Sequence, residues 1–239
     1  MAQEIFRRYE KKYLLTYGQR DALLAALDGR MKIDRYGRHT ICNIYYDTED
    51  YQLIRASLEK PVYKEKLRLR SYGVPGSEDH VFLEIKKKYK GIVYKRRIEL
   101  PLHEAEDYMR DKGRPSQESQ ILHEIDWFRK LYRGLKPMVY IAYDRVALYG
   151  LENADLRLTL DENIRFRTDD LQLSSGADGR QILPEGRVLM ELKIPEAMPI
   201  WMGELLDELQ IYPASFSKYG TAYSEFILPE QRKGMIQSA

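Results

Sequence analysis

The stretch "VYKEKLRLRSYG", residues 62–73, sets Lys64, Lys66, Arg68 and Arg70 at every second position, with Leu67 and Leu69 between the last of them. Side chains along a strand alternate between its two faces, so this segment presents four cations on one side and leucines on the other. The alternation continues outward. Leu83 and Ile85 alternate with Glu84, Lys86 and Lys88, and Leu189 and Leu192 roughly bracket Glu191 and Lys193. Tyr72-Gly-Val-Pro-Gly and Lys90-Gly91 punctuate the basic block and predict three successive antiparallel strands.

Strand patterns occupy 6–16, 39–47, 62–72, 81–89, 92–100, 138–149, 154–160 and 188–194, enough for a closed barrel. Helical patterns cover 19–27, 116–132, 200–209 and 218–227. Residues 168–186, with Ser174-Ser-Gly-Ala-Asp-Gly and Pro184-Glu-Gly, read as a loop or frayed hairpin and as the best candidate for a mobile insert. A chain of 239 residues buries one substantial core, so the expectation is one domain over 1–239 with its core at about 5–228.

The net charge of +2 argues against a protein that coats nucleic acid, but the distribution is uneven. From Lys60 to Arg97 there are twelve Lys and Arg against four acids, which suggests a localised anion site. The single Cys42 excludes an internal disulfide and, between apolar neighbours, reads as a buried structural thiol. The histidines show no zinc-ligand spacing, and neither a membrane-spanning run nor a secretory signal is present. A cytoplasmic setting is expected, with any membrane association through partners.

Glu-x-Lys recurs as Glu10/Lys12, Glu84/Lys86 and Glu191/Lys193, each within a strand pattern, so each pair delivers a carboxylate and an ammonium to one surface. Two architectures accommodate such strands: a sheet with one face in water, or a barrel with an ionic interior. In the second, two like charges about 4 Å apart repel by roughly 4 kcal/mol at an effective dielectric near 20. Converging cations then require a polyanion. A linear phosphate chain meets that need, and carboxylates on the same wall suit Mg²⁺ or Mn²⁺ bridging phosphate oxygens. No phosphate-binding glycine loop or kinase signature occurs, so side chains would have to cradle the phosphates.

With "FRRYEKKYLL", "NIYYDT", "KLRLRSYG", "FLEIKKKYKGIVYKRR", "YDRVAL", "LRLTLDENI", "ILPEGRVLMELK" and "FSKYGTAY" in that order, the chain resembles the VTC domain family of the triphosphate tunnel fold. The resemblance implies a mainly β (α+β) fold, a closed antiparallel eight-stranded tunnel barrel with flanking helices. It also implies a divalent-metal-dependent polyphosphate polymerase that passes the terminal phosphoryl group of ATP to a growing chain and releases ADP. Carried over by position, Arg68, Arg70, Lys86, Arg145 and Lys218 are the candidate catalytic cations. Arg8, Lys12, Lys66, Arg157, Lys193 and Ser217 are candidate phosphate contacts, and Glu191, Glu10, Glu84 and Asp161 candidate ligands for Mn²⁺ or Mg²⁺. The expected partners are ATP and inorganic polyphosphate, not nucleic acid.

One departure separates relatives. Hydrolytic and cyclase branches typically begin Glu-x-Glu-x-Lys, whereas this chain has Arg8, Glu10 and Lys12 at those places. The exchange of a carboxylate for a cation favours gripping phosphate over activating water. A triphosphate hydrolase and a non-catalytic polyanion-binding module are the alternatives.

Overall fold

Alternation in the basic block becomes strand in a computed structural model that describes residues 9–90 and 92–237. In chain order the elements begin with β1 (Tyr9–Thr16), α1 (Tyr17–Ala26), β2 (Met31–Ile33), β3 (His39–Asp47), α2 (Gln52–Leu58), β4 (Tyr63–Tyr72), β5 (His80–Tyr89), β6 (Ile92–Pro101) and α3 (Leu102–Met109). They continue with α4 (Gln120–Leu131), β7 (Lys136–Gly150), β8 (Arg157–Arg167), β9 (Arg180–Gln181), β10 (Arg187–Ile194), α5 (Ile200–Glu208) and α6 (Lys218–Thr221). A π-helix (Ala222–Ile227) and α7 (Leu228–Gln237) complete the chain's described part. No helix among the described residues is long and apolar enough to cross a membrane.

The chain divides into two compact units. The first takes the described parts of 1–39, 143–164 and 183–216, and the second those of 40–142, 165–182 and 217–239. In the first, Tyr13, Leu15, Leu158, Leu160, Val188, Met190 and Leu192 form the apolar face of β1, β8 and β10, covered by Leu23 of α1 and by Met202 and Leu206 of α5. Thr16 begins α1 with a reciprocal cap, its hydroxyl accepting from the Gln19 amide while the Gln19 side chain accepts from its own. In the second unit, Leu67, Leu69, Leu83, Ile85, Ile98 and Leu100 of β4–β6 pack on Ala105 and Tyr108 of α3 and on Leu122, Ile125 and Phe128 of α4. Each fully buried Leu or Ile contributes about 1.5–3 kcal/mol, which fixes which face of β4–β6 is left for charge.

The strands pair in the order β1-β10-β8-β7-β3-β4-β5-β6, with β2 on β7 and β9 on β8. Among the described residues no ladder joins β6 to β1, so the expected closed eight-stranded barrel is not formed and the sheet is open. The strand ends give the physical reason. The outer edge of β1 is taken by the chain's own Pro213 and Ala214, through a bridge from Tyr13 and a 2.7 Å bond from the Ala214 amide to the Lys12 carbonyl. At the other end, among the described residues, β6 pairs only with β5, and its exposed Arg96 and Arg97 place on that edge charges that discourage further pairing.

The expected loop at 168–186 is better held than a mobile insert. Arg167 is buried, lies 3.6 Å from the Tyr140 ring centroid, and donates to the carbonyls of Asp170, Gln172 and Asp178. Leu173 enters the core, and β9 pairs with β8, where a Cβ at Gly179 would lie 2.6 Å from the Phe166 carbonyl oxygen. The pattern also placed β8 early: the strand starts at Arg157 and runs on to Arg167.

Candidate anion site

On the second unit, strand register assembles the ionic face row by row. Lys66, Lys86 and Lys95 lie directly abreast across β4, β5 and β6, and Arg68, Glu84 and Arg97 form the adjacent row. Glu84 is almost wholly buried. Its Oε2 receives Arg68 Nε and Nη2 at 2.7 and 2.6 Å, Arg70 Nε stands 3.8 Å from the same oxygen, and Lys95 Nζ lies 2.6 Å from Oε1. Burial would raise the Glu84 carboxyl, but Arg68, Arg70 and Lys95 outweigh it and hold the group at about 2. Glu84 therefore acts as counterion to three cations. Burial, with Arg70 and Arg68 adding repulsion, lowers Lys95 to about 8 against the pull of Glu84.

β3 supplies two residues that the sequence reading did not single out. Asn43 is buried, donates to the Ile141 carbonyl and accepts Arg70 Nε at 2.9 Å, so it fixes the direction of that guanidinium. The Tyr45 hydroxyl accepts from Arg68 Nη1 at 3.1 Å. Burial would raise the phenol, yet Arg68, Lys66 and Arg70 bring it down to about 8. Period two along β3 assigns Asn43 and Tyr45 to one face, but β3 is buried on both sides, so no polarity alternation marks them in the sequence.

Ser217 and Lys218 stand at the start of α6. The Ser217 hydroxyl accepts the Gly220 amide and a 3.5 Å contact from Lys66 Nζ, and Lys218 is buried. Tyr219, next in the chain, packs at 4.9 Å on Tyr45 and donates its hydroxyl to Asp47 Oδ2 at 2.9 Å. Asp47 also accepts the amides of Thr48, Leu53 and Ile54, starting α2 while tethering α6.

The first unit carries a second ionic face. Register places Lys12, Glu191 and Thr159 abreast, with Glu10, Lys193 and Arg157 in the next row, and Leu189 opposite Asp161. Leu189 therefore shares the Glu191 face, so Met190 and Leu192, not Leu189, are the apolar neighbours in alternation. Glu191 meets Lys12 Nζ at 3.2 Å and Arg145 Nη2 at 3.6 Å, and Lys12 also reaches Glu10 at 3.8 Å. Arg145 holds the fully buried Asp161 through two parallel bonds of 2.6 and 2.7 Å. Burial opposes the Arg145 charge, but Tyr143 and the carboxylates of Asp161 and Glu191 keep it firmly protonated. Arg157 is exposed.

Thus Arg68, Arg70, Lys86, Lys66, Glu84, Ser217 and Lys218 belong to the second unit. Arg145, Lys12, Arg157, Lys193, Glu191, Glu10 and Asp161 belong to the first. Arg8 lies outside the described residues.

No group of three or more His, Cys, Asp or Glu suited to a metal gathers among the described residues. Asp161 gives both oxygens to Arg145 and Glu84 is enclosed by cations, which leaves Glu191, at 12% side-chain exposure, as the carboxylate best placed to take a ligand. Directly across the strand from it, the buried Thr159 hydroxyl lacks a hydrogen-bond partner in the described structure. This donor set fits a hard cation that takes one or two carboxylates and fills its remaining positions with water and phosphate oxygens.

Between about pH 7 and pH 9, Lys95 loses a positive charge and Tyr45 gains a negative one, so tripolyphosphate affinity is expected to fall roughly tenfold or more over that interval. Tyr45→Phe should remove part of the fall. Calorimetric titrations across the interval check both, and equal slopes in wild type and variant would remove Tyr45 from the site.

Comparison with known proteins gives the fold and the family. A Bacillus halodurans structure described as a candidate adenylate cyclase aligns at 18% identity over 87% of this chain and 92% of its own, with a TM-score of 0.55. A Hippeastrum protein, likewise a candidate adenylyl cyclase and described as having a dominant triphosphatase activity, aligns at 17% identity over 90% and 95%, with a TM-score of 0.58. Both likenesses show a shared, mainly antiparallel fold, with an open sheet here. Vacuolar transporter chaperone complex subunit 4 of Schizosaccharomyces pombe is 27% identical over 166 residues, 59% of this chain. The matched region spans only 22% of that relative's length. The model of the VTC domain matches residues 7–227, and the chain belongs to the VTC domain family.

Proposed function

We propose that this domain is a polyphosphate polymerase, transferring the terminal phosphoryl group of ATP to a polyphosphate chain with release of ADP. The observation that carries the reading is the row Lys66, Lys86 and Lys95. Like charges directly opposed across neighbouring strands are destabilising, and an array of them is retained most readily where an anion occupies it. Along β4, Lys64, Lys66, Arg68 and Arg70 carry the same ionic face over roughly 20 Å at about 3.3 Å per residue, more than one triphosphate needs.

In this reading Arg68 and Arg70, aimed by Glu84 and Asn43, present guanidinium forks to phosphate oxygens. Ser217, Lys218 and Lys66 bind a further phosphate, while Lys12 and Arg145 hold Glu191 in place. Lys86 extends the path on the second unit, and Lys193 and Arg157 are proposed phosphate contacts on the first. Glu191, with Glu10, would hold Mn²⁺ or Mg²⁺, which would supply positive charge to offset that of the phosphates. Phosphoryl transfer of this type depends on alignment and charge neutralisation, so the chain needs no side-chain nucleophile. The fission-yeast relative's name makes it a subunit of a complex, which supports partner chains for this one as well.

The triphosphatase activity named for the Hippeastrum protein supports hydrolysis as the second reading. A time course with ATP and Mn²⁺ separates the two. Polymerisation is expected to yield ADP with the phosphate recovered in exopolyphosphatase-sensitive chains. Orthophosphate equal to ADP without polymer would establish hydrolysis, and no ADP with any divalent metal would leave a binding module.

A further inference from the structure

Thr159 sits in the middle of the ionic face of the first unit, and the proposed transfer gives it no role. Its strand neighbours Leu158 and Leu160 enter the core, so its side chain shares the other face with Arg157 and Asp161. Register sets Thr159 directly across from Glu191, which stands in turn across from Lys12. All of these residues belong to the first unit. Thr159 is only 7% exposed, and its hydroxyl has no hydrogen-bond partner among the described residues. Burying a hydroxyl unpaired is unfavourable, so its retention calls for a second arrangement that pairs it.

The acceptor that can do so is Glu191. Side chains directly opposed on paired antiparallel strands have Cβ atoms about 4.5–5.5 Å apart, a gap that a hydroxyl and a rotated glutamate carboxylate close. In the structure that carboxylate is turned instead to Lys12 Nζ at 3.2 Å and Arg145 Nη2 at 3.6 Å. Asp161, two residues along β8, is already held at both oxygens by Arg145. Lys12 is also a candidate phosphate contact, and an ammonium drawn towards phosphate holds a carboxylate less tightly.

We propose that Thr159 is a positioning residue for Glu191: as phosphate draws on Lys12, the Glu191 carboxylate turns across the strand pair, accepts the Thr159 hydroxyl and is kept in place by it together with Arg145. A hydrogen bond to an ionised acceptor is stronger than one between neutral groups, so the exchange offsets the weakened contact with Lys12. The inference rests on the reading of this face as a phosphate path, and it gives Thr159 no contact with phosphate itself.

Calorimetric titration of the whole chain with tripolyphosphate, in the presence of a chelator, tests it. Thr159→Val keeps the shape and loses the hydroxyl, so affinity is expected to fall about tenfold. Without tripolyphosphate the same variant should melt about 2–4 °C above wild type, because the unpaired group is gone. Thr159→Ser restores the hydroxyl and should bind within about twofold of wild type. In a Glu191→Ala background, Thr159→Val should change affinity by less than about twofold, since the hydroxyl acts only through that carboxylate. A full loss in that background would set the hydroxyl against phosphate directly and overturn the proposal. A Thr159→Val variant that melts below wild type would overturn it too, by showing that the hydroxyl already has a partner. Wild-type binding undiminished in Thr159→Val would overturn the proposal alone, whereas a wild type that binds no tripolyphosphate would overturn the phosphate-path reading with it.

Discussion

Arg145→Ala is expected to cost about 3–5 kcal/mol of folding stability, a large part of what holds a domain folded. The cause is the partner left behind. Asp161 is completely inaccessible and both its carboxylate oxygens are met by Arg145, so the truncation removes the two parallel bonds that offset its buried charge. Arg145→Leu combined with Asp161→Leu should recover most of the loss, because a buried pair exchanged for apolar groups of similar size is close to neutral. Urea denaturation of the single and double variants measures the coupling. A single variant within about 1 kcal/mol of wild type would show that Asp161 does not need this partner.

Glu84→Gln has the next largest expected effect, on the order of 3 kcal/mol at neutral pH from the displacement of its carboxyl from 4.5 to about 2. A carboxylate whose folded value is depressed stabilises fully above its unfolded value, and the contribution disappears as pH falls through the folded one. The gap between wild type and variant should therefore be constant above about pH 4.5 and close progressively towards about pH 2. Arg68, Arg70 and Lys95, released from their common counterion, then repel one another. Tripolyphosphate should raise the melting temperature of the variant more than that of wild type, since it replaces the missing negative charge. Equal increments in the two proteins would mean that Glu84 and the polyanion do not share those cations.

The central role of Glu84 shows where sequence reading stops. Period two alone puts Glu84 and Lys86 on one surface and separates both from Leu83 and Ile85, and that division is what the structure has. Which cation stands opposite Glu84 is a matter of register, set by the hairpin connections, and alternation within one strand cannot supply it. The same limit applied to closure. Eight strand patterns permit a barrel, but the fate of the β1 edge is decided by Pro213 and Ala214, some two hundred residues away in sequence. Helix α2 escaped notice because its seven residues follow Tyr51 in a left-handed conformation, and its first amides are capped by Asp47 from the end of β3. Helix α3 follows directly on β6 after Pro101 and falls outside every strand and helix pattern read from the sequence. The loop after β8 looked mobile because its composition is that of turns, whereas it is held by the preceding Arg167, by Leu173 in the core and by the pairing of β9 with β8.

The π-helix over Ala222–Ile227 has a consequence for the permitted length of the chain. A segment of this kind is an α-helix holding one surplus residue, and it falls between Ser217-Lys218 and α7. Tyr223 packs on Tyr51 at 5.1 Å and Phe226 on Phe166 at 5.2 Å, so both sides of the surplus are anchored by rings. Deleting one residue would restore regular pitch and turn everything beyond it by about 100°, carrying Phe226 away from Phe166. Homologous chains can thus exchange residue types in this stretch more freely than they can lose a position, and a gap opened there in an alignment is a sign of misplacement.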